Sequence, residues 1–112
     1  MKKKILDVKP FEITDRFGRK IRLTEERIWH ISKRLEMLAE EQLIRDTLKT
    51  PDEVRESNED STAWLYYKAN PKGHKWNRLI LVIVKLLNGE GFVLTSFFTG
   101  ITKEGKLVWK KK

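Results

Sequence analysis

Cysteine is absent from the chain, which excludes a disulfide framework, a thiol nucleophile and a cysteine-based metal cluster. No apolar run approaches the ~20 residues that a membrane-spanning helix needs. The basic start Met1-Lys2-Lys3-Lys4 leads into Ile5-Leu6-Asp7, too short for the apolar centre of a signal peptide, so a cytoplasmic protein is expected. Histidine occurs only twice, with no His-x3-His pair, no carboxylate cluster and no glycine loop able to cradle phosphate. Neither a metal nor a cofactor is therefore expected. What remains is a chain of 112 residues, 39% hydrophobic and 36% charged, enough for one core. A single domain over 1–112 is expected, with flexible basic ends at 1–9 and 110–112.

Acidic residues are scarce in the second half. Residues 1–56 carry 14 basic and 12 acidic side chains, whereas 57–112 carry 10 and 4. A net charge of +8 distributed in this way attracts polyanions, pointing to nucleic acid or an acidic protein. It equally describes a lysine- and glutamate-rich solubilising surface.

Phe11–Thr14 and Lys20–Leu23 alternate apolar and polar residues around Gly18 and predict a short hairpin. Thr24 is an N-cap, Glu25 and Glu26 suit a first helical turn, and Ile28, Ile31, Leu35 and Leu38 recur at helical spacing. The first helix is predicted from Glu25 to about Leu38. A second runs from Glu40 to Lys49, continuous with the first or kinked near Ala39, and stopped by Pro51. Asp52–Glu56 offers a short extended segment. Strand-forming residues then fill Thr62–Lys68, Leu79–Leu87, Phe92–Thr99 and Lys106–Lys110. The expected fold is α+β: a short N-terminal β-hairpin, two α-helices, then a four-stranded antiparallel β-sheet with the helices packed on one face.

Three features carry chemistry. His30 stands one residue off the helical core stripe with Arg27 and Arg34 on the same flank, the pattern of an anion site or of a boundary histidine with one hydrogen bond. Lys85 interrupts the apolar strand Leu79–Leu87, where burial of an ammonium is costly. A simple hairpin register through 88–91 sets 85 opposite 94 and 83 opposite 96. That places Ser96 on the face of Lys85 and leaves Ile80, Val82, Val84, Leu86, Val93 and Phe97 for the helices; a bulge near Gly91 or Ser96 reverses the assignment. Finally, Trp64, Tyr66 and Tyr67, followed by His74-Lys75-Trp76-Asn77-Arg78, interleave aromatic and basic side chains as single-stranded RNA requires, although small domains also use aromatics as core filler. Tyr66 and Tyr67 point to opposite faces of their strand.

Leu23-Thr24-Glu25-Glu26-Arg27-Ile28-Trp29-His30-Ile31, Pro51-Asp52-Glu53-Val54, Leu65-Tyr66-Tyr67, Val82-Ile83-Val84-Lys85 and Val93-Leu94-Thr95-Ser96-Phe97-Phe98-Thr99 together resemble the phage-associated barnase/EndoU/colicin/RelE-like nuclease family. The resemblance implies two helices followed by a four-stranded antiparallel sheet, and a metal-independent, phage- or toxin-associated endoribonuclease. Such an enzyme cleaves single-stranded RNA by attack of the 2′-hydroxyl on its own phosphate, leaving a cyclic phosphate. Carried over by position, the catalytic set is His30, Arg34, Tyr66 or Tyr67, Lys85, and Thr95; the register above favours Ser96 for the hydroxyl. Leu35 stands where that pattern often has a second histidine. Arg27, Tyr67, His74, Lys75, Trp76, Arg78 and Ser96 complete the expected RNA-binding set. An acidic inhibitor protein is the expected partner if the chain is a toxin, and a monomer or small homo-oligomer its expected state. The competing expectation is a non-catalytic nucleic-acid- or protein-binding module of the same fold.

Overall fold

The computed structural model describes residues 9–33, 37, 40–102 and 105–112. Two hairpin strands, β1 (Phe11–Thr14) and β2 (Lys20–Leu23), precede helices α1 (Glu25–Ile31) and α2 (Glu41–Lys49). Strands β3 (Glu53–Ser57), β4 (Ala63–Ala69), β5 (Leu79–Leu87), β6 (Glu90–Thr99) and β7 (Gly105–Lys110) follow. Thr24 caps α1 by accepting from the Arg27 N–H at 3.3 Å. The helix ends at Ile31, short of the predicted Leu38: the Ser32 N–H closes the last helical bond, to Ile28 O at 2.8 Å, its hydroxyl donates to Trp29 O at 2.7 Å, and the Lys33 N–H turns instead to His30 O, three residues back, at 3.4 Å. Arg34, Leu35 and Leu38 lie outside the described residues. Helix α2 stops before Pro51, as the proline ring dictates.

The four-stranded expectation is overturned. Seven strands form one mixed sheet in the order β1-β2-β6-β5-β4-β3-β7, for three physical reasons. Ile21 and Leu23 are 0% and 1% exposed, and they are buried by adding β2 parallel to β6, with Ile21 opposite Gly91 and Arg22 opposite Phe92. A side chain at residue 91 would come within 2.6 Å of the Lys85 carbonyl on β5, so glycine is required there by the close approach of the β5–β6 hairpin rather than by β2. The segment after Pro51 becomes a full strand with neighbours on both sides, β4 and β7, and buries Val54 completely. Because β2 occupies one side of β6, the last strand does not continue the meander; it crosses to pair antiparallel with β3 and remains an edge, as its lysines suggest.

The β5–β6 hairpin closes on a two-residue turn, Asn88-Gly89, both with positive φ, and sets Leu87 opposite Glu90 and Lys85 opposite Phe92. Between Ile83 and Val84 the register shifts, so that Val84 faces Val93 but Ile83 faces Thr95. Leu94 is the extra residue of this bulge, and everything after it changes face relative to the simple register. The helix-covered face holds Val54, Tyr66, Ile80, Val82, Val84 and Val93 against Ile28, Ile31, Ile44 and Leu48, with Phe98 packed alongside. The other face carries a smaller cluster of Leu65, Tyr67 and Leu81 flanked by Phe97.

Asp15, 5% exposed, organises the hairpin tip. Its Oδ1 accepts from the N–H groups of Phe17 and Arg19 at 2.9 and 2.8 Å, its Oδ2 accepts from the Tyr66 hydroxyl, and the Arg19 Nε lies 3.5 Å away. The tip is further held by Arg16 N–H to Leu48 O at 3.0 Å. The Phe17 ring stands edge-on to Trp64 at 5.5 Å and to Trp109 at 6.3 Å. Removing the tyrosine hydroxyl leaves a shielded carboxylate oxygen short of a donor. Tyr66→Phe is therefore expected to lower the unfolding free energy by about 1–3 kcal/mol, read as a lower urea midpoint at unchanged slope.

Candidate nucleic-acid interface

The bulge decides where the predicted site residues fall. Lys85, Thr95 and Tyr67 project to the face opposite the helices, while Ser96 and Tyr66 project beneath them. This corrects the expected pairing of Ser96 with Lys85. Ser96 is completely buried and donates to Leu81 O at 2.9 Å. Tyr66 is likewise buried; burial first, and then its bond to the Asp15 carboxylate, push its phenol far above the ordinary tyrosine value. Both hydroxyls are committed to the interior.

On the opposite face, Lys85 Nζ is 2.8 Å from Asp60 Oδ2, with both side chains partly exposed. The hydrogen bond from Lys85, followed by those from the Thr62 hydroxyl and N–H, holds the Asp60 carboxyl down to about 2. The cost of placing an ammonium in this strand is thus offset by a loop carboxylate 25 residues earlier, a partner with no local signal in the sequence. Thr95 shares the face, and its Oγ1 is shielded without a hydrogen-bond partner among the described residues. Tyr67 is 1% exposed and packs in the cluster with Leu65 and Leu81.

His30 sits in the last turn of α1, exposed to solvent on the helix side of the sheet. The sheet therefore lies between it and Lys85. Arg27, on the same helical flank, is spent on structure: its Nε donates to Leu94 O at 2.9 Å and its Nη2 bonds the same carbonyl. The bulge residue thus takes these bonds from a helix rather than a strand. Arg34, the third member of that flank, lies outside the described residues.

The basic loop is the most accessible of the predicted elements. Asn70 N–H donates to Arg78 O and Asn70 Nδ2 to Asn77 O, both at 2.9 Å, and the His74 N–H donates to Asn77 Oδ1 at 2.7 Å. This framework turns His74, Lys75, Trp76 and Arg78 outward, all exposed. Trp76 is 80% exposed, with Lys75 Nζ 5.5 Å from its ring centroid. The loop backbone abuts Gly100, just past β6, where a side chain would meet Lys75 O at 2.8 Å. The loop thus lies at the C-terminal end of β6, whereas α1 leaves β2 beside residue 92 and is anchored through Arg27 at Leu94, near the middle of that strand. Trp29, 64% exposed, stands on the solvent side of α1; its position one residue before His30, off the core stripe, was the signal for it.

Arg16 and Arg19, at the hairpin tip, were not legible as ring-stacking residues. Their guanidinium carbons lie 4.7 Å from the Trp109 ring and 4.2 Å from the Trp64 ring. Among the described residues no group of three His, Asp or Glu is placed to hold a metal ion, and no helix is long and apolar enough to cross a membrane.

The Lys85–Asp60 bond fixes an acid-side signature. Because the folded value of Asp60 is depressed, its contribution to stability is complete above its ordinary value of 3.8 and lost as pH falls through about 2. Lys85→Met should return the Asp60 carboxyl toward 3.8, measured by carbon-detected NMR titration; an unmoved titration would show that the bond does not form in solution. Comparison with family models, with curated proteins and with solved structures finds no match to any of the three.

Proposed function

We propose that the protein binds single-stranded RNA on a surface centred on the 74–78 loop at the C-terminal end of β6 and extending toward α1. The 74–78 loop and the exposed side of α1 supply the contacts. The observation that carries this is Trp76: a tryptophan 80% exposed on a loop tied by its own hydrogen bonds, with an ammonium over its ring. An indole so presented offers a base a stacking face, while Lys75 and Arg78 stand beside it to meet phosphates. The net charge of +8 supplies the long-range attraction.

Cleavage of the bound RNA is a second reading, favoured by one observation: His30 is solvent-exposed on the helix side of the sheet. In that case His30 takes or gives the proton of the 2′-hydroxyl transfer. Against it stands the position of Lys85, across the sheet and paired with Asp60, where it cannot stabilise charge on a phosphate held at His30.

The test is retention and integrity of a labelled U-rich RNA dodecamer, in EDTA, over a range of salt. Binding through about three phosphates gives a log–log salt slope near −2. Trp76→Ala should weaken retention by about tenfold, and Lys85→Met should leave it unchanged. Intact RNA after long incubation identifies a binding module. Fragments ending in cyclic phosphate, absent with 2′-O-methyl RNA and with His30→Ala, identify a ribonuclease. Neither retention nor cleavage would overturn both readings.

A further inference from the structure

A cavity of about 340 Å³ opens between α2 and the far side of the loop that carries Trp76, within the range of small-ligand pockets, roughly 300–1,000 Å³. Its walls are of three kinds. Phe98, from β6, supplies an aromatic surface. From the helix side come Glu40, Gln42 and Asp46. Gln42 Nε2 donates to Asp46 Oδ1 at 2.8 Å, which leaves Asp46 Oδ2 and Gln42 Oε1 as acceptors unused by any described residue. From the loop side come Asn77 and Lys72. The His74 N–H occupies Asn77 Oδ1, so the amide orientation is set and the Asn77 Nδ2 hydrogens remain to donate.

The cavity therefore presents an aromatic wall continued by apolar Leu43 and Pro71, an amide donor, two carboxylates and the single ammonium of Lys72. Two carboxylates, Glu40 and Asp46, against the one ammonium of Lys72 leave the lining net negative, which disfavours a phosphate and hence the backbone of a nucleic acid. An apolar group would strand the carboxylates without donors. A planar group with two adjacent N–H donors beside an acceptor answers all three walls. Among the bases only guanine has that edge, with N1–H and the N2 amino group next to O6. Adenine and cytosine each place one amino group beside a ring acceptor, and uracil flanks its single N–H with two carbonyls. We propose that this cavity is a nucleobase pocket selective for guanine, with Asp46 and Glu40 accepting from N1–H and the N2 amino group, Asn77 donating to O6, and Phe98 against the ring face.

The assignment deepens the RNA-binding reading and rests on it: Asn77 and Trp76 are consecutive in one loop, so a strand stacked on Trp76 can turn a neighbouring base into the pocket. Burial pushes the Glu40 carboxyl above its usual range, with the Lys72 ammonium opposing that shift, as befits a carboxyl facing a partly enclosed space.

The experiment uses the full chain, ¹⁵N-labelled, titrated with guanosine, inosine, adenosine and uridine 5′-monophosphates. Guanosine monophosphate should move the amide signals of Asp46, Asn77 and Phe98. Inosine monophosphate, lacking only the 2-amino group, should bind about fivefold or more weakly, and Asp46→Asn should abolish the difference while leaving the rest of the spectrum in place. In parallel, a U-rich dodecamer with one central guanine is compared with the same RNA carrying inosine. Nucleotide shifts at the pocket without RNA retention uphold the pocket and overturn the RNA-binding reading. Trp76-dependent retention of RNA, with no preference for guanine over inosine and no nucleotide shifts, overturns the pocket and leaves that reading standing. If argininamide moves the same signals and guanosine monophosphate does not, the pocket recognises a guanidinium and the base assignment is wrong.

Discussion

The Asp15 carboxylate is the contact on which the architecture turns. A carboxylate removed from water is tolerated only when its oxygens are supplied with donors. Here they come from three sources: the tip's own backbone, the Arg19 side chain and the hydroxyl of Tyr66 on β4. The hairpin belongs to one end of the strand order, yet its tip touches Tyr66, Trp64 and, on the strand at the other end, Trp109. The sheet is therefore curled across its helix-covered face, and the tip closes the curl. Phe17 between the two tryptophans is the apolar counterpart of the same closure. Arg16 and Arg19, laid over those indoles, shield the seam from solvent.

The second controlling feature is one residue long. Without the bulge at Leu94, the hydroxyl of Ser96 would share a face with Lys85 and the phenyl ring of Phe97 would lie under the helices. With it, Ser96 becomes a buried donor to the backbone, Phe98 joins the core side, and Thr95 turns to the face of Lys85. A single inserted residue thus sets which side chains of β6 can cooperate, and it also frees the carbonyl that anchors α1 through Arg27. Helix, bulge and anchoring arginine form one device.

Much of this was readable from the chain. The hairpin, the capped start of α1, the stop of α2 at Pro51, the antiparallel β4–β5–β6 core and the apolar face Ile80-Val82-Val84-Leu86 follow from periodicity and turn residues, which act over a few positions. The opposite orientations of Tyr66 and Tyr67 follow from strand alternation alone. What was not readable depends on partners distant in sequence. Nothing local announces that β2 will lie parallel to β6, that β7 will return to β3, or that Asp60 will answer Lys85. The bulge could be named as a possibility but not located, because Val93-Leu94-Thr95 fits either register equally well. The candidate interface divides the same way: the loop with Trp76 was legible because its aromatic and basic residues are contiguous, whereas the pocket behind it draws on α2, the loop and β6 together.

The placement of β1–β2 and β7 at the two ends of the sheet has a consequence for how the chain acquires its structure. Arg22 must find Phe92, and Val54 must find Trp109, so the pairings that complete the sheet join segments far apart in the chain. Such a topology has a high contact order and folds slowly for its size. During synthesis the first hairpin emerges long before the strand it docks on, and the edge of β3 stays open until β7 has been made. Nascent chains are thus left for that interval with two unpaired strand edges, the condition under which a small β-rich protein depends most on its exposed lysines, or on a chaperone, to remain unassociated.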